Sequence, residues 1–337
     1  FYFRFGIFSL AIYVILKKNL KILFILKNIF LIIIFVLFFD TLYQFFFGKN
    51  LIGFEYTNPQ NFRITSFFGE DEVLGSYISR FFPLILSLIL FHQYKKNKVK
   101  IGFLMPLLII ISFVIVFLSG ERTAFVLLLI SSSLIFITCK SLRKPFFIAS
   151  IFLTFIISIL ITFNPSVKNR MYDSVIKQLG LHSDSDRIIL FSKTYESHYK
   201  IALNMFKEKP IVGHGVKIFR VYCQKPENFV STNGCTTHPH NIYMQFLAET
   251  GILGFIYLLS FFFFVSYLIL KKIYKNIFNK NNNLTEHMTC ILIFYFITLF
   301  PLIPSGNFFN NWLSIIYYLP SGFLIYFSKE KLVKNEL

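Results

Sequence analysis

A histidine-containing segment at the start of a long apolar run carries residue types suited to chemistry. It reads His238-Pro239-His240-Asn241-Ile242-Tyr243, and Glu249-Thr250-Gly251 follow within the run. An unperturbed imidazole titrates at about pH 6.5, which makes His240 a candidate general base. The alternative is that His240 caps the helix or bonds a carbonyl, although Asn241 is itself the predicted N-cap. The candidate supporting residues are His238, Asn241, Tyr243 and Glu249.

Four arginines, Arg63, Arg80, Arg122 and Arg187, are candidates for binding an anion. Arg122 follows a tight turn between two apolar runs, where it either binds an anion or snorkels or pairs with Glu121. Arg187 begins a predicted helix, whose N-terminus favours an anion; the alternative is pairing with a nearby aspartate. Arg80 lies inside an apolar run, where a charge usually faces a bundle interior or a water-filled cavity. Together the four could line one cationic pocket.

Two further patterns have structural interpretations that we favour. Asp184-Ser185-Asp186 has the DxD spacing of a metal motif in sugar-nucleotide transferases, but Asp and Ser directly before a helical pattern are typical of N-capping. Cys223 and Cys235 are predicted to form a disulfide, because their loop is expected in an oxidising compartment; the alternative is a zinc site with His238 and His240, but zinc sites usually have tighter ligand spacing. No metal or other cofactor is therefore expected.

The elements that must position these residues are membrane helices. With 55% hydrophobic and 20% aromatic residues, and 47 Phe among 337 residues, the chain is too apolar for one soluble core. Apolar runs of about 20 residues predict an all-α polytopic membrane protein. The nine predicted spans are approximately 1–16, 29–47, 73–92, 101–119, 123–138, 145–163, 242–270, 287–304 and 311–327. Because the chain begins with Phe1 rather than Met, we expect an N-terminal truncation with further helices missing.

The charge distribution predicts the orientation of these spans. The formal net charge of +18 comes largely from Lys and Arg in alternate loops and in the C-terminal tail. The positive-inside rule makes that side cytoplasmic, so nucleic-acid binding is not expected. Three parts follow: 1–163 with six spans, a large periplasmic loop over 164–241, and 242–337 with three spans and a cytoplasmic tail. Apolar positions at steps of three and four residues predict an amphipathic helix over about 187–208, on the membrane surface or on the bundle.

The motif segments resemble those of the O-antigen ligase and O-antigen polymerase superfamily. The resemblance covers about residues 60–260 and rests on His240 through Gly254, on Ser119-Gly120-Glu121-Arg122-Thr123, on the Arg187 helix leading to Pro210-Ile211-Val212-Gly213-His214-Gly215, and more loosely on Arg63 through Gly75. It implies a glycosyltransferase of the bacterial inner membrane that uses glycans linked to undecaprenyl diphosphate. By this resemblance His240 activates the acceptor, while Arg122 and Arg187 engage the diphosphate. Arg63 and Arg80 are further cations that our reading of the residues adds to the same site.

The expected reaction is an inverting, metal-independent glycosyl transfer on the periplasmic face. The acceptor hydroxyl belongs to lipid A–core for a ligase of lipopolysaccharide biosynthesis, which is our main expectation. It belongs to a second lipid-linked repeat unit for a polymerase, or to a protein. A transporter of lipid-linked glycans is the alternative from another class. Transporters tend to place charged residues and broken helices near the midplane, and here only Arg80 is clearly predicted within the membrane.

Overall fold

The computed structural model of the chain is a bundle of helices. It describes residues 3–55, 62–95, 102–178, 193–232, 234–280 and 284–335, where one isolated β-bridge, Lys49 with Glu55, accompanies the helices. These are α1 (Phe3–Lys18), α2 (Lys21–Phe47), α3 (Leu74–Lys95), α4 (Leu104–Leu118), α5 (Arg122–Thr138), α6 (Arg143–Phe163), α7 (Pro165–Lys168), α8 (Ser174–Gln178), α9 (Lys193–Glu208), α10 (Phe219–Tyr222), α11 (Ile242–Ile277), α12 (Glu286–Thr298) and α13 (Asn311–Asn335).

Four of these elements are long and apolar enough to cross a membrane: Lys21–Phe47, Leu74–Lys95, Lys140–Phe163 and Ile242–Ile277. Helices α4, α5 and α12 are apolar but shorter. In lipid the backbone must satisfy its own hydrogen bonds, which helices do within one segment. The described part of the chain is therefore all-helical, with four candidate membrane-spanning helices. Nine helices coincide with the nine predicted spans among the described residues, while the count of nine crossings and the periplasmic side of the loop stay predictions.

Helix α3 is the centre of the bundle. Within its most apolar window 83% of the residues are buried, against 17% in the windows of α2 and α6. It packs against α2, α4, α5 and α12, and the Ser87 hydroxyl donates to the His287 carbonyl at 2.7 Å. Helices α2 and α6 are apolar around most of their circumference, so they present apolar side chains outward, as lipid-facing helices do.

Helix direction alternates along the chain, so the bundle has two different ends. We call one the loop end, because it carries residues 62–73, the α4–α5 turn, the described parts of the long loop (164–178, 193–232 and 234–241) and the α12–α13 connection. At the opposite end, the basic end, Asn276 donates to the Thr138 carbonyl at 2.9 Å and Glu286 accepts from the Ser141 N–H at 3.2 Å. The candidate site residues that the structure describes lie at the loop end, except Arg80, which is within α3.

Several helix boundaries differ from the predicted spans, and α13 continues to Asn335 rather than ending at 327. Helix α12 ends at Thr298 rather than at 304, because Pro301 and Pro304 lack an N–H and disfavour a helical conformation in the residue before them. Helix α2 begins at Lys21 rather than at 29, so lysines predicted in a loop are helical. Helix α11 continues to Ile277, beyond the predicted end at 270.

The long loop packs against the first part of α11. Helix α9 ends at Glu208, as predicted, whereas the predicted start at 187 lies outside the described residues, as do Arg187 and Asp184-Ser185-Asp186. Ile201 and Met205 of α9 form a small core with Phe219 of α10 and Ala248 of α11. Helix α9 therefore packs on α10 and α11, while its predicted position relative to the membrane surface stays a prediction.

Candidate functional site

Three arginines meet at the turn between α4 and α5, and we call them the arginine cluster: Arg63, Arg122 and Arg170. Arg170 Nε donates to the Gly120 carbonyl at 3.1 Å. Gly120 has φ +67, and a Cβ there would lie 2.5 Å from the Phe62 carbonyl oxygen and 3.3 Å from Arg63 Cγ. Burial, followed by repulsion from Arg63 and Arg122, lowers the pKa of Arg170 to about 10. The glycine thus permits two cationic side chains to approach the turn that carries the third.

Glu121, next to Arg122, binds the start of α3 instead of its neighbour. Its carboxylate accepts hydrogen bonds from the Gly75 N–H at 2.5 Å, the Ser76 N–H at 3.1 Å and the Ser76 hydroxyl at 2.6 Å. These are N–H groups of the first turn of α3, which have no partner within the helix. Burial raises the pKa of Glu121, and these hydrogen bonds and the charge of Arg80 partly oppose that rise. The pairing with Arg122 that the sequence left open is therefore absent from the described residues.

The arginine cluster is incompletely neutralised. Arg63 forms an ion pair with Glu72. Arg122 Nη1 is buried and has no hydrogen-bond partner among the residues that the structure describes. A buried donor without an acceptor costs about 1–3 kcal/mol, which a bound anion would offset by accepting the hydrogen bond. The cluster therefore has the charge and the open donor that an anion site requires.

His240 lies in a group of rings between α9 and the start of α11. Its ring centroid is 4.2 Å from that of His238, 5.3 Å from that of His198 and 5.7 Å from that of Tyr195. The backbone at His240 has φ +53, in the left-handed region, and its carbonyl accepts from the Ser305 N–H at 2.8 Å. This conformation directs the imidazole toward α9 just before α11 begins.

The two imidazoles of the His-Pro-His segment differ in their hydrogen bonds. His238 is buried, with Nε2 3.2 Å from the Ser305 carbonyl and Nδ1 2.9 Å from the Thr237 hydroxyl. Burial, followed by the charge of His240, lowers the pKa of His238 to about 4. Burial, followed by His198, also lowers the pKa of His240, whose ring nitrogens make no hydrogen bond with any described residue. His240 is thus neutral near pH 7 and can accept a proton.

Asn241 and Tyr243 hold the start of α11 against the α12–α13 connection. Asn241 caps α11, as predicted, by accepting from the Tyr243 N–H at 2.9 Å and the Met244 N–H at 3.1 Å. Its Nδ2 donates to the Pro301 carbonyl at 2.8 Å, and the Tyr243 hydroxyl donates to the Leu299 carbonyl at 2.7 Å. Both residues support the backbone from which His240 projects.

Glu249 belongs to a buried polar network that the sequence analysis did not foresee. It accepts from the Phe219 N–H at 3.2 Å and from Gln245 Nε2 at 3.1 Å. Gln245 Nε2 also donates to Asn307 Oδ1 at 2.7 Å, and its Oε1 accepts from the Phe308 N–H at 3.0 Å. The network joins α10, α11 and the α12–α13 connection. The available signal was the presence of Gln245 and Glu249, one helical turn apart, inside an apolar run.

Two glycine-containing motifs meet at a break in α11. Gly251 has φ +66 and ψ −165, so the helix loses its regular hydrogen bonds there. The carbonyls of Ala248 and Glu249 instead accept from the N–H groups of His214 (3.1 Å) and Gly215 (2.9 Å), and the Ile252 N–H donates to the Pro210 carbonyl at 2.8 Å. A Cβ on Gly213 would lie 2.5 Å from the Glu249 carbonyl carbon, and one on Gly251 would collide with the Ile211 carbonyl. The motifs are thus joined backbone to backbone.

Cys223 and Cys235, the predicted pair, lie at disulfide distance with their Cα atoms 5.1 Å apart. The bond connects the end of α10 to the segment that leads into His238 and His240. Among the described residues, no group of three or more His, Cys, Asp or Glu is placed to hold a metal ion.

The structure brings together part of the predicted arginine set. Arg63 and Arg122 meet in the arginine cluster, whereas Arg187 lies outside the described residues. Arg80 Nη1 donates to the Ser76 carbonyl at 3.0 Å, and its charge acts on Glu121 from within α3. Arg170 was missed because it lies in no recognised motif. The only signal for it was a cation shortly after the end of a predicted span.

Residues 107–259 match the family described as O-antigen ligase. The matched segment begins in α4 and includes the α4–α5 turn, Arg170, the long loop, His240 and the break at Gly251. The match therefore supports an O-antigen ligase or polymerase type of function for a membrane-embedded protein. A search of curated proteins found no match to the chain.

Proposed function

Because residues 107–259 match the family described as O-antigen ligase, we propose that the chain is a membrane glycosyltransferase. It moves a glycan from undecaprenyl diphosphate to an acceptor hydroxyl on the periplasmic face of the bacterial inner membrane. The observation that carries the proposal is a neutral imidazole with unbonded ring nitrogens, His240, at the same end of the bundle as an arginine cluster with an open buried donor.

The proposed reaction assigns one task to each group. His240 takes the proton of the acceptor hydroxyl, whose oxygen forms a bond to the anomeric carbon from the face opposite the diphosphate. The bond between the anomeric carbon and the diphosphate oxygen breaks, and undecaprenyl diphosphate departs with the electron pair. Arg122 and Arg170, with Arg63 and the undescribed Arg187, stabilise that developing charge. Inversion at the anomeric carbon follows from this single displacement, which requires no metal.

The acceptor separates two versions of the proposal. Transfer to lipid A–core makes the protein a ligase of lipopolysaccharide biosynthesis, which we favour because the matched family is described as O-antigen ligase. Transfer to a second lipid-linked unit makes it a polymerase.

A transporter of lipid-linked glycans is the alternative from another class, and the broken helix at Gly251 is a feature that transporters share. Here, however, loop residues 210–215 satisfy the freed backbone groups, whereas in transporters such groups line a substrate cavity. This difference supports the enzyme.

The test is transfer by the purified protein in lipid nanodiscs. A defined undecaprenyl-diphosphate glycan is offered with lipid A–core or with a second lipid-linked unit, in the presence and absence of EDTA. Product on lipid A–core supports the ligase, and a ladder of longer lipid-linked chains supports the polymerase. His240→Ala and Arg122→Ala are expected to lose transfer, whereas Lys168→Ala, which removes an exposed cation near Arg170, is expected to retain it.

Three results would contradict the proposal. Full transfer by His240→Ala would exclude that imidazole as the base. Loss of transfer in EDTA, restored by a divalent cation, would exclude the metal-independent step. Movement of the lipid-linked glycan across the bilayer without transfer to any acceptor would favour the transporter.

A further inference from the structure

Exposed aliphatic residues of the long loop form a patch beside the break in α11. They are Ile211, Val212, Val216 and Ile218, and we call them the loop patch. Ile211 and Val212, which adjoin Gly251, are 62% and 67% exposed. Exposed apolar side chains that are grouped in this way usually mark a surface that contacts a partner or a membrane, whereas singly scattered ones need no explanation.

Helix α11 is longer than a bilayer requires, and its sequence indicates which part matches the hydrocarbon core. Residues 252–270 contain no charged side chain, and Lys271 and Lys272 follow them directly. As a helix this uncharged segment is about 29 Å long, close to a hydrocarbon core of about 30 Å. The nine residues 242–250 therefore extend past the hydrocarbon at the loop end by about 14 Å. Gly251 marks the level at which α11 leaves the hydrocarbon.

The backbone contact at the break places the loop patch at that same level. The Ile252 N–H donates to the Pro210 carbonyl at 2.8 Å, so the residue after Pro210 lies beside the first residues of the uncharged segment. Leu253 and Ile256 of that segment are 61% and 52% exposed, so α11 presents apolar side chains outward here. The loop patch therefore widens an apolar band that begins on the helix.

Helix α9 carries cations to the edge of the patch. It runs antiparallel to the first part of α11, because Tyr195 lies 5.7 Å from His240 while Met205 packs with Ala248. Lys207 and Lys209, at its C-terminal end, are exposed directly before the patch. Ammonium groups beside inserted aliphatic side chains are typical of segments that lie in the membrane interface, where the cations reach lipid phosphates.

We propose that the loop patch binds the bilayer surface at the loop end, with Ile211 and Val212 among the upper acyl chains and Lys207 and Lys209 at the phosphates. A bilayer is favoured over a second copy of the chain for two reasons. The patch lies at the level where α11 leaves the hydrocarbon, and a two-fold contact between copies would bring like-charged lysines together. Because the loop is bonded to the break in α11, this contact fixes the height of residues 242–250 above the membrane. The inference does not depend on the proposed function.

The test measures the depth of single tryptophans in nanodiscs of phosphatidylcholine and phosphatidylglycerol. Trp312 is the one tryptophan of the chain, so Trp312→Phe gives the background for two variants. Ile211→Trp reports on the patch. Phe229→Trp is the control, because Phe229 is 66% exposed on the same loop but lies near Ser231, whose hydroxyl donates to that of Ser197 in the first half of α9 at 3.0 Å.

Lipids brominated on the upper acyl chain quench a tryptophan that touches them. Ile211→Trp should lose about half of its fluorescence with these lipids, because an interfacial side chain has lipid on one side. Phe229→Trp should retain nearly all of its fluorescence, because it lies about two turns of α9 farther from the break.

Two results would overturn the inference. Equal fluorescence of Ile211→Trp with brominated and ordinary lipids would show that the patch does not reach the bilayer. Disulfide cross-links between copies of Ile211→Cys, together with that absence of quenching, would assign the patch to a second copy of the chain.

A second measurement covers the case in which Ile211→Trp does not fold. The unmodified protein is irradiated in nanodiscs that contain phosphatidylglycerol with a diazirine near the start of one acyl chain. Label on residues 209–218 as well as on the outward-facing residues of α11 supports the proposal. Label on the helices with none on residues 209–218 overturns it.

Discussion

The contact between the two glycine motifs leads to a graded prediction for four Gly→Ala substitutions. Gly251 and Gly213 both have positive φ and both approach backbone atoms of the other motif. Gly215 has φ +102, but the nearest atom to its added Cβ is Ile218 Cγ1 at 3.5 Å, an ordinary contact. Gly254 lies in regular helix, where an added Cβ meets the Thr250 and Phe246 side chains. The series therefore separates backbone strain from backbone collision.

The expected losses of unfolding free energy follow from these differences. Gly215→Ala carries strain alone, about 1–3 kcal/mol. Gly251→Ala adds displacement of the 210–215 segment, which breaks three hydrogen bonds at about 1 kcal/mol each, for a total of about 4–6 kcal/mol. Gly213→Ala also has a positive φ and breaks the same contact, so it should likewise cost about 4–6 kcal/mol. Gly254→Ala should cost about 1–3 kcal/mol, because its added Cβ would lie 2.6 Å from Thr250 Cβ, which has to shift, while the three hydrogen bonds of the 210–215 contact stay intact.

The assay combines global and local stability of the protein in detergent. Equilibrium unfolding gives the free-energy differences, and hydrogen exchange reports the amides of His214, Gly215 and Ile252. These amides should lose protection in Gly251→Ala and Gly213→Ala but keep it in Gly254→Ala. The double variant Gly213→Ala/Gly251→Ala should be less destabilised than the sum of the two single variants, because both remove the same three hydrogen bonds. Equal stability and equal amide protection of Gly251→Ala and Gly254→Ala would refute the reasoning.

Three further predictions concern the site. Arg170→Ala should weaken methyl diphosphate binding by about 10–100-fold, the loss of a charged hydrogen bond of about 1.5–3 kcal/mol, whereas equal weakening by Lys168→Ala would point to a general charge effect. The pKa of His238 falls from 6.5 to about 4 on folding, so between these pH values the unfolded chain binds a proton that the folded chain does not. The free energy of unfolding is therefore unaffected by His238 above pH 6.5 and decreases by about 3 kcal/mol as the pH falls toward 4. His238→Asn should therefore lose less stability than the wild type between about pH 7 and 4.5, and parallel unfolding curves would contradict this. Reduction of the Cys223–Cys235 bond should destabilise the loop by about 3 kcal/mol, and a reductant should have no further effect on Cys223→Ser.

Much of the architecture was predictable from local sequence. Apolar runs located the helices, because a segment in lipid must satisfy its backbone hydrogen bonds internally and must present apolar side chains. Asn241 was predictable as an N-cap because its side chain reaches N–H groups only two and three residues away. The end of α9 at Glu208 was predictable from its period and from the Lys209-Pro210 sequence that follows.

The pairing of polar groups was not predictable in the same way. Glu121 has a cation as its neighbour in sequence, yet its hydrogen bonds go to Gly75 and Ser76 of another helix. Gly213 and Gly251 were recognised as motif residues. The reason why both positions require glycine is a backbone contact across 38 positions of sequence, which is visible only in the folded chain.

The sequence by itself determined which segments form apolar helices, where the basic residues lie along the chain and which residue types are present at the loop end. Each of these depends on interactions within one segment, or between one segment and lipid. Only the tertiary structure decided that Arg170 joins Arg63 and Arg122. The physical reason is that the three arginines come from three separate connections, so their meeting depends on how helices pack across the bundle.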